Sequence, residues 1–299
     1  MFRILALLSL PMICLGQGSL NGEGLPVEKL NNEISPNELK RNASFNLDEI
    51  KVRWKKAALE NCTGVPCVID PPQPPAPSFT CGTTTVLDID GNIYTSILIG
   101  AQCWTKENLK VTKYNDGTSI PLDVSGTSTG TVSQTWSTRN EGAYTIYGNE
   151  PSSGMNATTY GFLYNWYAVK GIATTGSTTY KNLCPTGFHV PTDLEWTNLT
   201  TYLGGVSVAG GKMKETGTTL WNSPNTAAVN TSGFTALPGG GRRDPGNFDV
   251  IGATAFFWSA TESTPTKAWI HFLGSGGGIA QRGDFSLKPF GASVRCLRD

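Results

Sequence analysis

From Thr83 onward, short apolar runs alternate with clusters of Gly, Ser, Thr and Asp, the pattern of strands joined by turns. Val86 to Ile89 leads into Asp90-Gly91-Asn92 and Ile93 to Ile99 leads out, which predicts a hairpin, because Asp-Gly supplies the positive φ that a tight turn needs. Tyr144 to Tyr147 predicts a short strand, and Thr112 to Gly130 reads as loop. Tyr160 to Val169 is dense in aromatics and predicts buried structure, with Trp104 and Leu109 as further core candidates. One segment changes to the helical period. Thr192 and Glu195 have capping-box spacing, Leu194, Trp196, Leu199 and Leu203 follow, and Gly204-Gly205 stops the run, so a helix is predicted at about 192–203. Lys212 to Glu215 predicts a second, short helical turn. From Ser232 onward the runs around Phe256-Phe257-Trp258, Lys267 to Leu273 and Val294 to Leu297 predict strands, the last tied in by Cys296. The fold class expected is α+β, with short twisted antiparallel sheets, one clear helix and long loops.

The segments before this domain differ in kind. Met1-Phe2-Arg3, the apolar run Ile4 to Ile13 and the small residues before Gln17 predict a cleaved signal peptide over residues 1–16. Lipid attachment at Cys14 is the poorer reading, since Ile13 stands where a small residue is expected. Residues 17–67 form a polar leader containing a helix at 46–61, in which Leu47, Ile50, Trp54, Ala57 and Ala58 share a face; it reads either as a small docking helix or as a membrane-surface or partner helix. Residues 68–79, with Asp70-Pro71-Pro72-Gln73-Pro74-Pro75-Ala76-Pro77, read as a semi-rigid spacer, leaving 80–299 as the main domain. No later segment predicts a membrane span. An exported location, secreted or at the cell surface, follows.

Composition narrows the function classes. Lys and Arg number 23, Asp and Glu 23, and no basic stripe runs along the chain, which argues against nucleic acid. An exported chain with Cys62, Cys67, Cys81, Cys103, Cys184 and Cys296 reads as disulfide-linked. Several connectivities are open, and the favoured set is Cys62–Cys67, Cys81–Cys103 and Cys184–Cys296. A thiolate zinc site fits poorly, because neither His189 nor His271 stands near a cysteine pair. Asp88 to Asn92 reads as a turn, with a structural calcium loop as the alternative, although the closing Glu of that pattern is missing. No cofactor is expected. The carboxylates Asp193, Glu195, Glu215, Asp244, Asp249, Glu262 and Asp284 are scattered, and His189 reads as structural, so no catalytic residue is assigned and the chain is not expected to be an enzyme. Arg242 and Arg243 either pair an anionic ligand or face solvent.

The ordered blocks carry a resemblance. Asp88-Ile89-Asp90-Gly91-Asn92-Ile93-Tyr94, Ile99-Gly100-Ala101-Gln102-Cys103-Trp104, Tyr160-Gly161-Phe162-Leu163-Tyr164-Asn165-Trp166-Tyr167-Ala168, Leu183-Cys184-Pro185-Thr186-Gly187-Phe188-His189-Val190-Pro191-Thr192, Gly211-Lys212-Met213-Lys214-Glu215, Trp258-Ser259-Ala260-Thr261-Glu262 and Ser293-Val294-Arg295-Cys296-Leu297-Arg298-Asp299 resemble the Fibrobacter succinogenes major paralogous domain family, from about Cys81 to Asp299. The resemblance implies a fold like that of C-type lectins and of the formylglycine-generating enzyme, in secreted or surface proteins of the Bacteroidetes–Fibrobacter group. The last block is also similar to the variable region of proteins diversified by retroelements. That likeness implies a frame of Trp258, Ser259, Glu262, Ala268, Trp269, Arg282 and Gly291 to Cys296. It implies display positions at Phe256, Phe257, Ile270, Phe272, Ser275, Gln281 and Asp284. The function expected is a non-enzymatic ligand-binding or adhesive domain for an extracellular protein or glycan, with a carbohydrate-binding module and a secreted enzyme as the alternatives.

Overall fold

The computed structural model describes residues 79–125, 134–243, 246–284 and 287–299. The predicted signal peptide, the leader helix and residues 68–78 of the Pro-rich spacer, with Cys14, Cys62 and Cys67, lie outside the described residues, as does Asp244. The described residues form an α+β unit of short antiparallel sheets, Phe79 to Asp299.

The Asp-Gly turn forms as its chemistry requires. Strand β1 (Val86–Leu87) pairs with β2 (Ile93–Tyr94), and Gly91 takes φ +82°. Oδ1 of Asp88 accepts the backbone N–H of Asp90 at 3.0 Å and of Asn92 at 2.9 Å, and its Oδ2 accepts the Tyr94 hydroxyl at 2.7 Å. The outgoing run is not one strand. It breaks at Thr95, whose N–H and hydroxyl both donate to Glu107, and resumes as β3 (Ser96–Ile99), which pairs with β4 (Gln102–Thr105) in a different sheet. That sheet has the order β3-β4-β13-β7, with β13 (Leu297–Arg298) between β4 and β7 (Phe188–His189). The disulfides Cys81–Cys103 and Cys184–Cys296 pin it at both sides, as the pairing argument expected.

The aromatic block 160–169 divides into the end of α1 (Met155–Tyr160), strand β6 (Leu163–Tyr164) and α2 (Trp166–Lys170). Strand β6 pairs with β5 (Tyr144–Thr145). Helix α3 (Asp193–Tyr202) carries the predicted capping box: Glu195 N–H donates to Thr192 Oγ1 at 3.3 Å, and Thr192 N–H to Glu195 Oε2 at 2.7 Å. Gly204 and Gly205 then take positive φ, and α4 (Val206–Met213) starts at once. The second helix therefore ends where the sequence predicted a turn to begin. Its Gly210-Gly211 pair lowers helix propensity, but backbone lies against it: a Cβ on Gly210 would stand 2.5 Å from the Ile279 carbonyl oxygen.

That close approach is held by a buried ammonium. Lys214 Nζ donates to the carbonyls of Thr226, Gly274 and Gly277 at 2.9, 3.0 and 2.8 Å, over the ring of Trp221 at 5.3 Å. The bare stretch Gly274 to Gly278 is the backbone wrapped around this cation and against α4.

After the short antiparallel pair β8 (Gly241–Arg242) and β9 (Phe248–Asp249), strands β10 (Thr254–Thr264), β11 (Lys267–Gly274) and β12 (Ala280–Gly283) form an antiparallel sheet in that order. Alternate residues point to opposite faces, and both faces are covered. Phe256, Trp258, Ala268 and Ile270 join a core with Tyr164, Trp166, Phe290 and Val294. Ala255, Phe257, Leu273 and Ala280 join another with Trp104, Trp196, Leu199 and Phe234. Arg295 is buried beside Phe234, its guanidinium donating to Asn108 Oδ1 and to the carbonyls of Thr105, Phe234 and Thr235.

Candidate functional site

The two-sided sheet decides which expected display positions reach solvent. Phe256, Phe257 and Ile270 are 6%, 1% and 0% exposed, so the expectation that they display fails: each fills one of the two cores. Phe272 is half-buried and packs against the first core, Ser275 and Asp284 are half-buried, and Gln281 is exposed. Three residues assigned to the frame, Glu262, Trp269 and Arg282, lie wholly or partly at the surface instead. Arg282 is exposed on the edge strand β12, and its guanidinium carbon lies 3.3 Å from the ring centroid of the half-buried Trp269. Trp258, Ser259 and Ala268 are buried, as a frame requires. Glu262 is exposed and pairs with Lys288 at 3.1 Å.

Arg282 is fixed from below by α3. Its Nε and Nη2 donate to the two oxygens of Asp193 at 2.7 Å each, the fork geometry that guanidinium and carboxylate share. His271 Nε2 meets the same carboxylate at 3.1 Å, and its ring stacks on Trp196 at 5.0 Å. Burial raises the Asp193 pKa, but hydrogen bonds from His271 and Arg282 outweigh it and hold it at about 2. Burial pushes His271 below its ordinary value, against the pull of Asp193. At neutral pH this is a neutral imidazole donating to a carboxylate that an arginine neutralises.

The arginine pair reads differently from either expectation. Arg242 is fully buried and is spent internally: Nη1 donates to the Asp123 carbonyl at 2.9 Å and to its carboxylate at 3.2 Å, and Nε to the Gly246 carbonyl at 3.0 Å. It also lies over Trp136 at 4.3 Å. Arg243 is half-exposed and bonds Asp249 Oδ2 at 2.8 Å. Neither is positioned as a free anion receptor. His189 joins Glu195 Oε1 at 3.0 Å to Asp299 Oδ1 at 2.7 Å, linking the helix cap to the end of β13. Burial lowers its pKa, and the two carboxylates more than offset this and raise it.

A concavity the sequence reasoning missed lies between the hairpin turn and α1. It is a cleft of about 350 Å³. Asp90, Asn92, Lys110 and Thr112 form one wall, Ser152 and Thr158 the other, and the buried Ala157 and Phe162 lie at its base. Phe162 is stacked on Tyr144 at 5.0 Å. The hairpin-side wall is tied together. Asp90 Oδ2 accepts Thr112 N–H at 2.6 Å and Thr112 Oγ1 at 2.8 Å, and Lys113 Nζ stands 3.2 Å from Oδ1. Asn92 Nδ2 donates to Asp88 Oδ2 at 2.8 Å and to the Lys110 carbonyl at 3.3 Å. No local pattern pairs residues near 90 with residues near 155, so nothing along the chain announced this site. Among the described residues no group of three His, Cys, Asp or Glu side chains is placed to hold a metal, and no helix is long and apolar enough to cross a membrane.

No curated protein and no solved structure matches the chain. Residues 97–298, which include β4, β7, the two-sided sheet and β13, match the Fibrobacter succinogenes major domain, and the chain belongs to that family.

Proposed function

We propose that this protein is an exported, non-catalytic binding domain of C-type-lectin-like fold that meets an extracellular partner protein through the edge of its three-stranded sheet. The observation that carries the reading is the makeup of that edge. Gln281 and Arg282 are exposed on β12, and Arg282 lies on Trp269 while Asp193 grips it with both oxygens. Trp and Arg are the side chains that most often dominate protein interfaces. A guanidinium already clamped loses little further freedom when a partner docks. The covered faces of the sheet keep this edge rigid. The two disulfides support export, since they persist in oxidising compartments. Four of the seven carboxylates weighed for catalysis support a scaffold: Asp193 holds Arg282, Glu195 caps α3, Asp249 holds Arg243 and Glu262 holds Lys288.

The test is binding of the secreted chain to a panel of purified extracellular and cell-surface proteins, repeated with Trp269→Ala and Gln281→Ala. The expected result is a partner whose affinity falls about tenfold or more in both variants at unchanged melting temperature. A partner bound equally by wild type and both variants would refute the edge as the recognition surface.

A further inference from the structure

We infer that the cleft between the β1–β2 turn and α1 is a binding site for a neutral sugar ring. This inference stands apart from the edge of the sheet and does not depend on it.

Size comes first. A cleft of about 350 Å³ lies at the lower end of the range for small-ligand sites. Its lining is amphipathic in a specific way. The base is formed by the buried Ala157 and Phe162, which leave only a small apolar floor beneath a ligand. The walls carry a carboxylate, an amide, an ammonium and hydroxyls, which suit a ligand whose groups both donate and accept.

Charge then selects among ligands. Asp90 and Lys110 stand on the same wall, and Lys113 pairs with Asp90, so neither sign of charge dominates the cleft. A phosphate or another strong anion would face the Asp90 carboxylate on the same wall, and a cation would face Lys110. A neutral ligand rich in hydroxyls meets neither penalty. Its hydroxyls can donate to Asp90 Oδ1, which the ion pair with Lys113 fills only in part. They can accept from Lys110 and Ser152. Among the described residues, neither the Lys110 ammonium nor the Ser152 hydroxyl makes a hydrogen bond or ion pair, whereas Asn92 and Thr112 are already locked in place. The cleft therefore combines a fixed hairpin-side wall with unspent donors, the arrangement that rewards a ligand with little reorganisation of that wall.

The experiment titrates the full secreted chain with neutral hexose oligosaccharides of differing linkage, with galacturonate oligomers and with inorganic phosphate, by calorimetry and by chemical-shift mapping. The variants are Lys110→Met, which removes the free ammonium, and Ser152→Trp, which fills the cleft from an exposed position. Thr158→Trp, on the exposed side of α1, is the second blocking variant should Ser152→Trp lower the melting temperature. Expected are binding of at least one neutral oligosaccharide with little change at high salt, a loss of about tenfold with Lys110→Met, abolition by the blocking variant, and no change with Trp269→Ala. The inference is overturned if no neutral oligosaccharide binds. It is equally overturned if galacturonate or phosphate binds more tightly, or if a neutral sugar binds as well to Lys110→Met and the blocking variant as to wild type.

Discussion

Replacing Lys214 by Met keeps an apolar stem of similar reach and removes the ammonium that three carbonyls share. Two terms oppose each other. Each buried carbonyl left without a donor costs about 1–3 kcal/mol, so three of them set an upper range of about 3–9 kcal/mol. Against this, wild type bears the cost of keeping a charge out of water, several kcal/mol after relaxation, and Met does not. The loops carrying Thr226, Gly274 and Gly277 can also open enough to hydrate some of these oxygens, as Gly274 and Gly277 have open space beside them. The balance expected is a loss of about 3 kcal/mol, comparable with removing one member of a buried ion pair. Urea unfolding followed by tryptophan fluorescence measures it, and amide exchange across residues 274–278 localises it. The expected result is a lower midpoint at unchanged slope, with exchange faster in that loop than in β10. A loss below about 1 kcal/mol, or an exchange pattern unchanged in the loop, would refute the claim that this cation holds the loop against α4.

Two further outcomes follow from bonds on the same frame. Removing Cys184–Cys296 by a double Ala substitution opens a loop of sequence separation 112, which the chain-entropy relation makes worth about 5 kcal/mol; a denaturation-curve loss below about 2 kcal/mol would refute that origin. Asp193 is held at about 2 against an ordinary 3.8, so its contribution is present above 3.8 and is lost as pH falls toward 2, amounting to about 2 kcal/mol. Wild type should therefore lose about that much more stability than Asp193→Asn across this window in pH-dependent melting, and parallel curves would refute the assignment.

What the chain disclosed and what it hid divide along sequence distance. The Thr192/Glu195 capping box and the Asp90-Gly91 turn were legible because their partners lie within a few residues. The burial of the 160–169 aromatics was legible from their density alone. Arg242 was not, because Asp123, its counter-ion, is 119 residues away. The display positions were misread for a different reason. A strand with one wet face alternates, whereas Ala255 to Trp258 is continuously apolar, the pattern of a strand covered on both sides. That signal was present, and the likeness to a variable region overrode it. The second helix was hidden by Gly210-Gly211, which favour turns locally but are required here because Ile279 lies against Gly210 and Ala227 against Gly211. The cleft could not be seen at all, since its walls come from separate segments with ordinary compositions.

Strand β13 sits between β4 and β7, with Leu297 paired to both Trp104 and His189. During synthesis, the two outer partners are made long before the strand that joins them. Until residue 297 emerges, β4 and β7 have no shared neighbour and Cys184 has no thiol to meet at 296. Contacts this distant in sequence form slowly, because loop-closure entropy must be overcome first. A chain built this way completes this sheet only once nearly all of it has been made. The position of one two-residue strand thus makes closure of the sheet wait for the last residues of the chain.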